Sequence, residues 1–203
     1  MRTTCLQTLM LAPLMIAPLL AITDSATGIL DQFSTITNAL EANQATITRY
    51  QGGLIPAVNV GTQNYLTWSA MRGANLQIDH GDKQFNREDS DAIVQHLVAL
   101  SERATRLMQA YQDKEPMLRR ARVNFIVPIV MQALYMEADN LRIAIAHQVP
   151  ESHGAPLLEM QATFISSWTD AFDAYTINLA STSQDYAPIY SLMEPFFRYF
   201  LAY

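Results

Sequence analysis

At 203 residues, half of them hydrophobic and 16% charged, the chain is long enough to bury one sizeable core without disulfide staples. Its formal charge of −6, from 19 acidic and 13 basic side chains, excludes nucleic acid as the main partner, because phosphate binding needs a basic surface. Lysine occurs only at Lys83 and Lys114, and the basic cluster Arg119, Arg120 and Arg122 reads either as a solvated helix face or as an anion or lipid-headgroup contact.

The first segment has the outline of an export signal. Arg2 supplies the positive end, and Leu9 to Ala21 forms an apolar run interrupted by Pro13 and Pro18. That run is shorter than the ~20 residues a membrane-spanning helix needs, and its prolines weaken it further, so no transmembrane anchor is expected. Cleavage fits after Ala21 or after Ala26. The single cysteine, Cys5, leaves with the signal, and the chain contains no Asn-x-Ser/Thr sequon. The exported chain from Ile22 onward is therefore expected to lack disulfides and N-glycans, with stability coming from packing alone. The expected organisation is a signal peptide over 1–21, a helical bundle over 28–179 and a partly disordered extension over 180–203.

Five stretches then repeat apolar residues at helical spacing. The first predicted helix runs from about Ile29 to Tyr50, with Ile29, Phe33, Ile36, Leu40, Ile47 and Tyr50 in line, and Gly52-Gly53 ends it. The second runs from Leu54 to about Ile78, with Leu54, Val58, Gly61, Tyr65, Trp68 and Leu76 on one side and Pro56 in its first turn. Gly61 and Gly73 weaken this helix by about 1 kcal/mol each relative to Ala, so tertiary burial must compensate. After a polar turn containing Gly81, Asn86 with Glu88 and Asp89 supplies a capped, acidic helix start.

The third helix, predicted to about Asp113, has the cleanest rhythm: Ile93, Leu97, Leu100, Ala104, Leu107 and Tyr111. Glu115-Pro116 is expected to open the fourth, which runs to about Gln148. From Val123 to Met136 it is almost wholly apolar, the mark of a central helix, and Pro128 is expected to kink it or leave a local gap in its hydrogen-bond ladder. The fifth runs from Pro156 to about Leu179, aligning Leu157, Gln161, Phe164, Trp168, Phe172 and Tyr175. Beyond Ala180 the chain turns aromatic, ending Phe196-Phe197-Arg198-Tyr199-Phe200-Leu201-Ala202-Tyr203. A glycolipid-anchor signal has a similar outline, but Glu194 and Arg198 interrupt the hydrophobic part.

Catalytic motifs are missing from the sequence. It has no Gly-x-Ser-x-Gly elbow, phosphate-cradling glycine loop, His-Glu-x-x-His, paired Cys ligands or Glu-x-x-His bundle motif. His80, His96, His147 and His153 are scattered, and His147 with His153 makes an incomplete metal set around a loop. No enzyme activity, metal or cofactor is expected. What remains is the apolar interior. Met71, Met108, Met117, Met131, Met136, Met160 and Met193 pack equally well in an irregular core or along a chain-shaped ligand. Pro128, the two glycines of the second helix and several methionines on the fourth together tilt the reading toward a cavity. Thr62, Asn140 and Gln161 interrupt apolar stripes and are candidates to anchor a carboxyl head there.

The order of these signals resembles the fungal hydrophobic surface-binding protein A family, which includes the cell-wall galactomannoproteins. The likeness rests on Ala39-Leu40 with Ile47-x-x-Tyr50-x-Gly52-Gly53, then Asp89-Ser90-x-x-Ile93 with its leucine ladder. Lys114-x-Pro116, Val149-Pro150 and the closing helix with Phe164, Trp168 and Phe172 complete it, over about Ile29 to Tyr175. The resemblance implies an all-α bundle of about five amphipathic helices, a secreted or wall-associated protein, and binding to hydrophobic matter. Some members of that family enclose a long-chain fatty acid, and others coat hydrophobic surfaces. Asp113-Lys114, where the family usually shows paired lysines, together with Pro128 and the aromatic tail, departs from the pattern.

Two functions are carried forward. In one, the bundle sequesters a fatty acid or similar amphiphile. In the other, the protein adsorbs to a hydrophobic solid surface and recruits or assists a secreted enzyme. Burying one CH₂ is worth roughly 0.8 kcal/mol, so a long acyl chain supplies enough for either mode. The expected pocket wall is Ile36, Leu40, Val58, Tyr65, Leu97, Leu100, Ile126, Val130, Leu134, Phe164, Trp168 and Phe172.

Overall fold

Thr23 and Asn86 open two of the helices by giving the free N–H groups of a first turn an acceptor. Thr23 Oγ1 accepts from the Ala26 amide at 3.3 Å, and Asn86 Oδ1 accepts from the Asp89 amide at 2.8 Å. The computed structural model describes residues 22–78 and 84–180, with side chains through Tyr175. The expected signal segment, Cys5, His80, Gly81, Lys83 and the aromatic stretch beyond Ala180 lie outside the described residues. Five helices follow in order: α1 (Asp24–Arg49), α2 (Leu54–Gln77), α3 (Arg87–Arg120), α4 (Val127–Gln148) and α5 (Gly154–Ala180). Single 3₁₀ turns at Asn124–Ile126 and Glu151–His153 lead into α4 and α5.

The hydrogen bonds between helices fix their directions. Gln32 meets Gln77 and Asn43 meets Asn64, so α1 and α2 are antiparallel across the Gly52-Gly53 turn. That turn holds φ at 106° and 90°, a region glycine enters freely. Thr23 binds Asp89 near one end and Asn43 meets Tyr111 further along, so α1 and α3 are parallel. His153, just ahead of α5, binds Asp91, and Tyr175 binds the Tyr111 carbonyl, so α5 runs parallel to α3. The helix contacts close a ring: α1 on α2, α2 on α4, α4 on α5, α5 on α3 and α3 back on α1. The all-α five-helix bundle expected from the sequence is the observed architecture.

The stripes read on α1 and α3 are the axis of the core. Ile29, Phe33, Ile36, Leu40, Ile47 and Tyr50 are all buried, as are Ile93, Leu97, Leu100, Ala104, Leu107 and Tyr111. On α2 the structure turns the helix away from the expected face. Its core side is Val60, Asn64, Thr67, Met71 and Ala74, while Leu54, Val58, Tyr65 and Leu76 are exposed. A rotation of this kind needs hydrogen-bond partners for Asn64 and Thr67 inside the core, and α1 and α3 provide them.

The boundary between the third and fourth helices also differs. α3 continues through Pro116 to Arg120 and ends where Arg122 adopts φ 58°. Pro116 leaves the Gln112 carbonyl without its helical N–H. Packing holds the segment helical: Glu115 and Leu118 are buried, and Lys114 Nζ donates to the Tyr50 carbonyl at 3.0 Å. Arg119 donates to the two Glu115 carboxylate oxygens through Nε and Nη2, at 2.8 and 2.6 Å. Pro128 sits in the first turn of α4, where its missing N–H costs nothing, so it starts the helix rather than kinking it. Nor is α4 central. Its substantial contacts are with α2, α5 and the 3₁₀ turn that precedes it.

Candidate functional site

The apolar breadth of α4 has another destination. The N-terminal halves of α2 and α4 stand apart around a cavity of about 510 Å³. From α2 it is lined by Leu54, Ala57, Val58, Val60, Gly61, Thr62, Asn64, Tyr65 and Trp68. The opposite wall is Leu118 of α3, Val123, Ile126, Val127, Ile129, Val130 and Ala133. The volume lies within the range of about 300–1,000 Å³ typical of small-molecule sites. Val60, Leu118 and Val127 form a buried floor, whereas Leu54 and Val58, 68% and 63% exposed, form an apolar rim open to solvent. Gly61 carries no side chain into this space, and a Cβ placed there would meet nothing within 4 Å.

Beyond Trp68, α2 and α4 are joined by a polar clasp. The Arg72 guanidinium lies over the Trp68 ring, 5.2 Å from its centroid, and pairs with Glu137 at 3.8 Å. Asn75 Nδ2 donates to the Glu137 carbonyl at 2.9 Å and to its carboxylate at 2.7 Å. Cavity and clasp therefore pair successive parts of α2 with successive parts of α4, so the two helices run in the same direction.

Beneath the cavity lies a polar cluster joining α1, α2, α3 and α5. Asn43 Nδ2 donates to Asn64 Oδ1 at 3.0 Å and to Thr67 Oγ1 at 3.2 Å. The Tyr111 hydroxyl lies 2.7 Å from Asn64 Oδ1 and 3.3 Å from Asn43 Oδ1, and the Tyr175 hydroxyl donates to the Tyr111 carbonyl at 2.6 Å. Burial pushes the Tyr111 phenol well above its ordinary value. Tyr175 is raised by burial and further by the neighbouring Tyr111 and Glu115 charges.

The expected wall residues divide into groups. Val58, Tyr65, Ile126 and Val130 line the large cavity. Ile36, Leu40, Leu97, Leu100 and Phe164 surround a second space of only about 50 Å³ in the middle of the bundle. That is far below the roughly 300 Å³ at which ligand sites begin. Leu134 is core and lines neither space, Trp168 packs with Phe164 and Tyr135 at centroid distances of 5.2 and 5.6 Å, and Phe172 is half-buried. Of the candidate anchors, Thr62 lines the large cavity, Gln161 borders the small one and Asn140 is exposed. Asn43, Asn64 and Thr67 were missed because a polar residue in an apolar stripe reads as an interruption. The signal was present: Val60, Asn64, Thr67, Met71 and Ala74 step by four, three, four and three.

A bundle of five amphipathic helices with an apolar, ligand-sized cavity and a rim of exposed aliphatic side chains defines a helical hydrophobe-binding architecture. The chain belongs to the hydrophobic surface binding protein A family, whose profile matches residues 26–147, more than half of its length. No curated protein sequence matches it. Among solved structures, Afmp4p in complex with palmitic acid superposes with a TM-score of 0.70 at 18% identity, covering 74% of this chain and 99% of the other. Ligand-binding domain 2 of the Penicillium marneffei MP1 protein, complexed with multiple arachidonic acids, gives 0.69 at 17% identity, covering 77% and 97%. Domain 1 of that protein, complexed with arachidonic acids, gives 0.68 at 13% identity, covering 74% and 98%. Among the described residues no helix is long and apolar enough to cross a membrane, and no three His, Cys, Asp or Glu side chains converge for a metal.

Proposed function

We propose that this protein is exported and sequesters a long-chain fatty acid or related amphiphile in the cavity between α2 and α4. The observation that carries the reading is the cavity itself, about 510 Å³ and walled almost wholly by aliphatic and aromatic side chains. The fatty acids held by Afmp4p and by the MP1 domains, proteins of the same fold, support it. Each methylene moved from water into such walls is worth roughly 0.8 kcal/mol, so a chain of fatty-acid length binds after the costs of association are met. The walls proposed to touch it are Val58, Tyr65, Ile126 and Val130, together with Val60, Leu118 and Ile129. Mass spectrometry of lipids extracted from the natively purified protein tests the reading. A stoichiometric acyl chain is the expected result, and a protein that is empty and stays empty when offered palmitate overturns it.

Export rests on the apolar segment before Ile22. Of the two processing points, cleavage after Ala21 fits the fold. Thr23 caps α1 and binds both oxygens of Asp89, at 3.1 and 2.8 Å, and Ala26 is fully buried. Cleavage after Ala26 would remove all three contributions. A second reading, adsorption to a hydrophobic solid, is favoured by the outer face of α2, where Leu54, Ile55, Val58 and Leu66 are exposed together.

A further inference from the structure

Asn64 occupies an unusual position: it lines the large cavity, yet it is only 6% exposed and belongs to the polar cluster beneath. Its amide orientation is set by its neighbours. Oδ1 accepts from Asn43 Nδ2 and from the Tyr111 hydroxyl, and a flipped amide would turn its own N–H groups toward the Asn43 donor. The nitrogen is left over. No hydrogen bond from Asn64 Nδ2 is found among the described residues, and the atom is not among the fully enclosed unpartnered ones, so its N–H groups stay available to a group in the cavity. The other candidates do not offer a free donor in this space. Thr62 directs its hydroxyl to the Val58 carbonyl at 3.0 Å, Asn140 is exposed, and Gln161 borders the small central space. Among the described residues the cavity wall contains no Lys or Arg.

We propose that the Asn64 side-chain amide is the head-group anchor of the α2–α4 cavity, donating to a carboxyl oxygen of the bound amphiphile. This inference rests on the fatty-acid reading above and adds to it the end of the ligand that is held and the residue that holds it. The head then lies toward the buried floor, and the acyl tail runs along Val58, Ile126 and Val130 toward the rim. Because the anchor is a neutral amide shared with Asn43 and Tyr111, head-group recognition is coupled to the packing of α1 against α3.

The test compares a headed and a headless ligand on the full protein and on Asn64→Asp at pH 8. Aspartate keeps the acceptor that Asn43 and Tyr111 require, but it removes the donor and opposes a carboxylate. Palmitate supplies the head, and the hydrocarbon fluorophore diphenylhexatriene lacks one. Palmitate affinity is expected to fall at least about tenfold, the value of one hydrogen bond to a charged group, with diphenylhexatriene affinity unchanged. Equal loss for both ligands, or no loss for palmitate, overturns the anchor. If Asn64→Asp loses helicity, the wild-type protein decides through its ¹⁵N spectrum. The Asn64 side-chain amide signals shift with palmitate and not with diphenylhexatriene if the proposal holds, and respond alike to both if it does not. A wild-type protein that binds neither ligand overturns the cavity reading itself.

Discussion

Tyr111 reaches from α3 into a core where its hydroxyl meets Asn64 and Asn43, and its carbonyl accepts from Tyr175. Polar groups inside an apolar bundle stabilise only while every partner is present. Tyr111→Phe keeps the ring and removes the hydroxyl, so it should cost about 1–3 kcal/mol, measured as a lower urea midpoint with an unchanged slope. The same cluster makes an alkaline prediction. Tyr50, Tyr111 and Tyr175 are all held protonated by burial at pH values where an unfolded tyrosine ionises. Their contribution to stability is complete below the ordinary tyrosine value of about 10 and is lost as pH rises above it. Thermal midpoints should therefore fall above about pH 10, and the Tyr111 and Tyr175 phenols should escape spectrophotometric titration until the protein unfolds.

The buried apolar stripes of α1 and α3 were legible in the sequence, although Asn43 within the first, and the last turns of α3 beyond Asp113, were not. α2 was legible as a helix but not in its rotation. Its greasier side faces the cavity and solvent, and its mixed side, with Asn64 and Thr67, faces the core. Apolar periodicity assigns the greasier side to the core by default, so it cannot separate a cavity wall from a core face. The prolines misled for a related reason: Pro116 and Pro128 are both acceptable in a first turn, and only the contacts of Lys114, Glu115 and Leu118 decide which one begins α4. The glycines of α2 yield a test at this scale. Because a Cβ at Gly61 meets nothing within 4 Å, Gly61→Ala should stabilise the protein by about 0.5–1 kcal/mol. Gly52→Ala, forced to hold φ 106°, should destabilise it by a comparable or larger amount. Paired denaturation curves check both, and equal signs would show that the turn or the helix is misread.

For the bundle as a whole, the expected pocket wall was only partly assembled by the fold. Val58, Tyr65, Ile126 and Val130 share the large cavity, whereas Ile36, Leu40, Leu97 and Leu100 meet around a space too small for a chain. Sequence spacing identifies which residues are apolar and aligned, but the gap between two helices depends on how far apart their axes settle. The difference is measurable. Val130→Trp should narrow the large cavity and weaken palmitate binding while thermal stability changes little. Leu134→Trp, at a position only 1% exposed, should overpack the core and lower stability by about 1–3 kcal/mol. Titration calorimetry and thermal melts separate the two effects, and a Val130→Trp protein with undiminished affinity would place the ligand elsewhere.

The clasp at Arg72, Asn75 and Glu137 gives the α2–α4 pair the mechanics of tweezers. Two stiff rods pointing the same way are riveted where the last turns of α2 meet the middle of α4, and the described walls that face each other around the cavity are mostly aliphatic and aromatic. Asn64 and Thr67 tie α2 to the α1–α3 spine, so a change of girth falls on α4. In the proposed binding mode, with the head at the floor and the rim open, such a receptacle would let the end of a long hydrocarbon tail protrude into solvent rather than exclude it.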